Sequence, residues 1–352
     1  MIVSGVGILS WIAWTLCITY LSIISFAVYH WLITNKINAS NHVSVKPSSI
    51  LIPFRNEAEN LPELLNSLET LQTGNAELEI IFVDDHSEDG GMGIIKSRQK
   101  SNYLVKHSEG FGKKAAIAKG ISIAKYDSIL QLDADVTFAG NWFNSVQKKL
   151  LSGVGFVTGL VSIKNPHGWL EHFQLFDLMA LMGMTNAGIK SKCWNMANGA
   201  NMAYPRGLYD QISNPAHSRF SSGDDMFLIE EAAKQKLYVD FNADIDGLVF
   251  TQPEKKIQNL IQQRLRWASK NNALQSMLLK SVLFFALLFN ISLIFLPLIN
   301  SCYVLFWLIK ILVDFIYLKV LSRNFNTRII WFYYLVSALV YPFLSYASVC
   351  FI

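Results

Sequence analysis

The first 33 residues contain no Lys, Arg, Asp or Glu, and residues 276–352 contain only Lys280, Lys310, Asp314, Lys319, Arg323 and Arg328. Segments so poor in charge cannot be kept in water as surface elements, so the two ends restrict the architecture more than any other feature. At 1.5 Å rise per residue, a helix over residues 5–33 is longer than the roughly 30 Å hydrocarbon core of a bilayer, and it is expected to span one. The rival reading is a cleaved signal peptide. Against it stand the missing positive n-region, an apolar run longer than the usual ~7–15 residues, and the lack of a small-x-small cleavage site before Lys36.

At the other end, residues 277–298, 302–321 and 329–350 read as three further spans, separated by Pro297 and Asn300 and by the loop from Lys319 to Arg328. The middle one carries Lys310 and Asp314, four apart on one helix face, where they neutralise each other or face protein instead of lipid. Lys36 and Lys46 follow the first span, Lys270 and Lys280 precede the second, and Lys319, Arg323 and Arg328 lie between the third and fourth. The positive-inside rule then puts the central region in the cytoplasm and both termini outside, in a multi-pass protein of the inner or plasma membrane.

The 352 residues are 52% hydrophobic and 16% charged, which excludes disorder. Of 30 basic and 26 acidic residues, five and one lie within 276–352; 25 of each sign remain, so the formal +4 belongs to the C-terminal membrane-like region. A nucleic-acid partner, which needs a concentrated basic surface, is not expected. Cys17, Cys193, Cys302 and Cys350 are scattered without CxxC spacing, so neither a zinc site nor a disulfide framework is indicated.

Between the ends, hydrophobic periodicity alternates. SSILIPF reads as a strand, the leucines at 61, 64, 65, 68 and 71 recur at helical spacing, and LEIIFVDD reads as a second strand. A Lys- and Ala-rich helix (GKKAAIAKGISIAK), a strand (DSILQL), a helix near Trp142 to Leu151 and the apolar run GVGFVTGLVSI follow. Such alternation predicts an α/β domain with a mostly parallel sheet over residues 47–275, which binds ligands beyond the C-terminal ends of its strands. Two stretches, near 167–190 and 255–275, are expected at the membrane interface, the first alternatively as a core helix.

Acids cluster where such a sheet places its ligands. Asp133 and Asp135, one residue apart after a strand, can direct two carboxylates to one divalent ion on a diphosphate, a hard-oxygen site suited to Mg2+ or Mn2+; the bland alternative is a solvated strand end. Asp84 and Asp85 end another strand, either as receivers of nucleoside hydrogen bonds or as a turn cap with Ser87. Lys113 and Lys114 precede a helix and either meet phosphate or stay on solvated surface. Trp267, just before a span, is an interfacial-belt residue or an apolar face for a sugar or lipid, and Arg266 is a flanking charge or an anion partner.

Five separated pieces resemble the membrane-bound family 2 glycosyltransferases of the GT-A fold, the group of polysaccharide synthases and ceramide glucosyltransferases. They are PFRNEAENL (53–61), VDDHS (83–87), LDADV (132–136), SGDDMFL (222–228) and QRLRW (263–267), the last matching Q-x-x-R-W. The resemblance covers about two thirds of the chain. It implies that Asp85, with Asp84, contacts uridine, that Glu57 lines the nucleotide pocket, and that Asp133 and Asp135 hold a metal. It further implies that Asp225 is the general base and that Arg266 and Trp267, supported by Gln263, sit beside diphosphate and acceptor. Asn201, in NGANMAYPR, becomes a donor-sugar contact and Lys113 a nucleotide contact. The family has Glu-Asp where this chain has Asp224-Asp225.

The expected activity is therefore inverting transfer from a nucleotide-sugar, a UDP-sugar, to a lipid or glycan acceptor, with lipid favoured. Three C-terminal spans are few for a polysaccharide channel, so a processive synthase, the alternative, would need an oligomer or a partner subunit. A non-catalytic scaffold or nucleotide-sugar sensor is the rival of another class, and it predicts a missing acidic motif. A hydrolase pair is disfavoured because adjacent side chains such as Asp224 and Asp225 face opposite ways on an extended segment.

Overall fold

All seven residues of β1 (Ser48–Phe54) are buried, as an apolar strand covered on both faces requires. The computed structural model describes residues 2–34, 45–211, 224–269 and 276–350. β2 (Leu78–Asp84) and β4 (Ser128–Leu132) flank β1 in parallel, and β3 (Tyr103–His107) pairs in parallel with β2. β8 (Asn201–Pro205) runs antiparallel to β4 and to β6 (Phe156–Gly159), and β6 pairs in parallel with β9 (Val239–Asn242). Among the described residues these make one seven-stranded sheet, ordered β3-β2-β1-β4-β8-β6-β9. A small sheet joins β5 (Thr137–Phe138), β10 (Val249–Thr251) and β7 (Val161–Ile163).

The reversed strand has a consequence for the site. Because β8 is antiparallel, its first residue, Asn201, lies opposite Leu132, the last residue of β4. The segment leading into β8 therefore arrives at the edge where β2 ends in Asp84, where Asp133 follows β4, and where Glu57 follows β1 by three residues. The helices cover the sheet as their periodicity dictates: α2 (Leu61–Glu69) buries Leu61, Leu64, Leu65 and Leu68, and α4 (Lys113–Ile123) buries Ala116, Ile117, Gly120 and Ile121. A Cβ on Gly120 would fall 2.1 Å from Leu51 Cδ1 of β1, so α4 packs closely on the strand. Several elements lie outside the sequence expectation, among them α3 (Gly91–Ser97), β3 and β8, and the run 153–163 is not one strand. It breaks at Leu160, with β6 entering the large sheet and β7 the small one.

Asn201 corrects the sequence reading. It was expected to touch the donor sugar, but it is 1% exposed and its amide is consumed inside the protein. Its Oδ1 accepts from Trp142 Nε1 at 3.1 Å, and its Nδ2 donates to the carbonyls of Leu160 and Gly247 at 2.9 Å each. The side chain crosses Gly159, where a Cβ would lie 2.4 Å from Nδ2. It ties α5 (Trp142–Leu151), the break between the sheets and the turn before β10 into one body.

The chain divides into two compact units. One comprises residues 37–164 and 195–252 and holds both sheets; the other comprises residues 1–36, 165–194 and 253–352. The uninterrupted 47–275 domain of the sequence reading is thus broken by a helix that belongs with the terminal helices. That second unit contains α1 (Ile2–Thr34), α6 (Trp169–Ser191), α9 (Ile257–Ser269), α10 (Met277–Ile299), α11 (Val304–Leu321) and α12 (Trp331–Cys350). Burial of α6 extends to polar His172, Gln174, Thr185 and Asn186, and a Cβ on Gly183 would fall 2.2 Å from the Tyr317 hydroxyl. Among the described residues, two helical stretches are long and apolar enough to cross a membrane, Gly7–Thr34 and Met277–Ile299.

Replacing Asn201 by Ala leaves the Trp142 indole N–H and two carbonyls without their partner, and is expected to destabilise the protein by about 2–4 kcal/mol. Thermal unfolding of purified Asn201→Ala checks this; an unchanged midpoint would contradict the structural role.

Candidate active site

Beyond the end of β4 the chain turns through Asp133, Ala134 and Asp135, and Ala134 is buried between the two acids. The Asp133 carboxylate forms an ion pair with the ammonium of Lys113, the first residue of α4. Lys113 is delivered there by a loop that another acid anchors. Asp85 Oδ1 accepts the N–H of Gly112 at 2.7 Å, and Gly112 has φ +91°, a conformation that side chains with a Cβ rarely adopt. Asp85 also lies 3.9 Å from the Arg55 guanidinium. Asp84 is a turn cap: it is 2% exposed, accepting from the Ser87 N–H at 3.0 Å and lying 3.1 Å from His107 Nδ1.

Asp225, near the start of α8 (Asp224–Lys234), accepts the Gly199 N–H at 3.3 Å on one oxygen and its own helix's Met226 N–H at 2.9 Å on the other. A Cβ on Gly199 would lie 3.7 Å from Lys113 Nζ and 3.8 Å from Asp225 Cβ. Gly199 therefore marks where α4, the β8 approach and α8 meet. Residues 222–223 of the SGDD segment lie outside the described residues.

The electrostatics of this cluster follow from its geometry. Burial works to lower the Lys113 pKa, but Asp133, Asp225 and Asp135 prevail and hold it above its ordinary value, so the ammonium stays charged. Burial raises the Asp135 carboxyl, Asp133 adds repulsion, and the Thr251 hydroxyl, donating to Oδ2 at 2.6 Å, works in the opposite direction together with Lys113. Burial also raises Glu57 against the hydrogen bond from Asn60 Nδ2, and Asp135 and Asp133 push it the same way. Glu57 thus feels the field of both acids across the β1 and β4 ends.

Among the described residues, no group of three or more His, Cys, Asp or Glu is disposed to hold a metal by itself. A pair of carboxylates one residue apart, both facing a lysine, fits a different kind of cation site. Mg2+-type ions are commonly held by one or two carboxylates with the remaining positions left to phosphate oxygens and water. Asp133 and Asp135 supply that donor set, and its hard-oxygen chemistry suits Mg2+ or Mn2+ alike.

The structure brings Glu57, Lys113, Asp133, Asp135 and Asp225 together at the edge of the large sheet. Gln263, Arg266 and Trp267 stand on α9 of the other unit, where Gln263 Nε2 donates to Glu254 Oε1 at 3.5 Å. The guanidinium of Arg264 lies over the Trp267 ring at 4.3 Å and pairs with Asp177 at 2.6 Å. Sequence reasoning missed Arg264 and Thr251. For Arg264 a signal existed, since it precedes Trp267 by one helical turn; Thr251 reaches Asp135 only through the tertiary fold.

Residues 49–211 match the family described as Glycosyl transferase family 2. The chain is 26% identical over 238 residues to a poly-beta-1,6-N-acetyl-D-glucosamine synthase of Staphylococcus epidermidis, covering 65% of this chain and 55% of that protein. It is 30% identical over 129 residues to an uncharacterized glycosyltransferase of Synechocystis sp., covering 36% and 41%. The chain thus spans little more than half the length of the synthase it matches. Among solved structures, the mannosyltransferase PcManGT from Pyrobaculum calidifontis, in complex with GDP-Man and Mn2+, shares the fold. Its TM-score is 0.53 at 16% identity, covering 95% of this chain and 99% of that one. Residues 49–211 are therefore similar to the family 2 glycosyltransferases, and the fold is the GT-A fold.

A raised Glu57 pKa means that the folded state binds its proton more tightly than the unfolded one. Stability is then lost as pH rises from the ordinary carboxylate range through the raised value. Without added divalent cation, Glu57→Gln should raise the melting temperature above that window and leave it unchanged at lower pH; melting curves from pH 4 to 8 test this, and a pH-independent difference would contradict it.

Proposed function

We propose that the protein transfers a sugar from a nucleotide-sugar, a UDP-sugar, to a membrane-associated acceptor, in the first instance a lipid. The observation that carries this reading is the meeting of Lys113 with Asp133, Asp135 and Asp225 around Gly199, at the strand ends where an α/β sheet binds its ligand. Breaking the bond between sugar and phosphate leaves a nucleoside diphosphate on which negative charge grows. Lys113, held charged, stabilises that growing charge. A divalent cation bound by Asp133 and Asp135 would add positive charge to the same diphosphate. Glu57 closes the nucleotide side of the site.

An acceptor hydroxyl must lose its proton as it attacks the anomeric carbon, and Asp225 takes it. The hydrogen bonds from Gly199 and Met226 fix the carboxylate's orientation, so that a lone pair is held in one direction. With Asp225 as base and no covalent intermediate, the reaction is a single displacement with inversion. Trp267, braced on one face by Arg264, presents an apolar surface to the acceptor.

The two apolar helical stretches support a membrane location. In this reading residues 1–34 and 276–352 anchor the protein as several spans, with the sheet-bearing unit on the cytoplasmic side. The resemblance to a poly-N-acetylglucosamine synthase favours one second reading, processive synthesis of a polysaccharide, for which an oligomer or partner subunit would complete the channel. Retention of every acidic motif speaks against a catalytically silent scaffold.

Membranes containing the protein should release UDP from a UDP-sugar only with Mg2+ or Mn2+, and Asp225→Asn and Asp135→Ala should each lower transfer at least ~100-fold. Mass analysis of products formed with native lipids separates lipid glycoside from polymer. Undiminished transfer by both variants would contradict the mechanism.

A further inference from the structure

Helix α11 is apolar except for Lys310, Asp314 and Lys319, and two of these meet inside the helical unit. The Lys310 side chain is 3% exposed and ion-paired with Asp314, itself 17% exposed. Asp314 Oδ1 accepts the Tyr20 hydroxyl of α1 at 2.6 Å. The Lys310 ammonium also lies 5.1 Å from the centre of the Tyr341 ring on α12, close enough for a cation–π contact. The Tyr341 hydroxyl hydrogen-bonds Asp177 of α6. Asp177 pairs with Arg264 of α9 at 2.6 Å, and Arg264 covers the Trp267 ring. One unbroken series of polar contacts therefore runs from α1 through α11, α12 and α6 to the Q-x-x-R-W helix.

Stability does not explain such a series. Each charge in it has lost most of its water, and a buried pair of this kind is often no more stabilising than apolar residues of the same volume. What it offers is direction: every member has a partner that accepts one geometry, and the last partner is an indole. Arg264, paired with Asp177, is thereby held over the Trp267 ring.

We propose that Lys310, Asp314, Tyr341, Asp177 and Arg264 are positioning residues that hold Trp267 for the acceptor, with the Lys310–Asp314 pair as the remote end. This rests on the reading above that Trp267 serves the acceptor. Every member of the series lies within the helical unit and none is among the nucleotide-binding acids, so its loss slows turnover without weakening donor binding.

The test uses the full chain in detergent or nanodiscs, with UDP release measured for Lys310→Met, Asp177→Asn, their double variant, Lys310→Arg and Asp225→Asn. Lys310→Met and Asp177→Asn are each expected to lower kcat at least ~10-fold with donor KM within ~2-fold. The double variant should be no worse than the poorer single one, because both cut the same series. Lys310→Arg should recover most of the loss. The emission of Trp267, taken as the difference between each protein and its Trp267→Phe counterpart, should shift in both single variants. If Lys310→Met does not fold, Asp177→Asn with its emission and kinetics carries the test. Unchanged kcat, a loss expressed in donor KM, or additive losses would overturn the relay. If Asp225→Asn is inactive and the relay variants are not impaired, the relay alone fails. If Asp225→Asn is fully active, the catalytic reading fails and the relay with it.

Discussion

Carboxylates that share a strand edge repel one another, and the candidate site of this protein depends on how that repulsion is balanced. Asp133, Asp135 and Asp225 all act on Lys113, and Glu57 feels two of the same acids from β1. The lysine is therefore more than a neighbour of Asp133: it is the charge that allows the acids to remain close. Its own position comes from Asp85, which fixes the Gly112 turn from which α4 starts. An acid that the sequence suggested for nucleoside recognition thus also shapes the loop that supplies the cation.

The antiparallel β8 strand is the second requirement. A purely parallel sheet would send the chain back through a crossover at this point, whereas β8 begins where β4 ends and brings the Gly199 N–H to Asp225. The proposed base is therefore oriented by backbone, which point substitutions at nearby side chains leave in place.

Much of this was legible in the sequence because it is written in short-range patterns. The apolar run of β1 from Ile50 to Phe54, the leucine spacing of α2 and the acids after β2 and β4 all declare themselves locally, as do the charge-poor ends. What was not legible depends on distant partners. Asn201 looks like a polar loop residue until Trp142, Leu160 and Gly247 are seen to surround it. β3 is short and half polar, so its strand character comes from pairing with β2. α6 is apolar around its circumference, a pattern shared by interfacial and core helices, and only packing against other helices decides between them. Asp84, given two readings from sequence, holds its turn through Ser87.

The central claim is that Lys113 and the acids around it form a diphosphate site. Calorimetric titration of UDP into the purified protein, with and without Mn2+, tests it most directly. The account predicts binding that requires the cation and weakens at least ~10-fold in Lys113→Met, the loss of one charge-assisted contact. Binding of equal strength in the presence of EDTA and in Lys113→Met would contradict it.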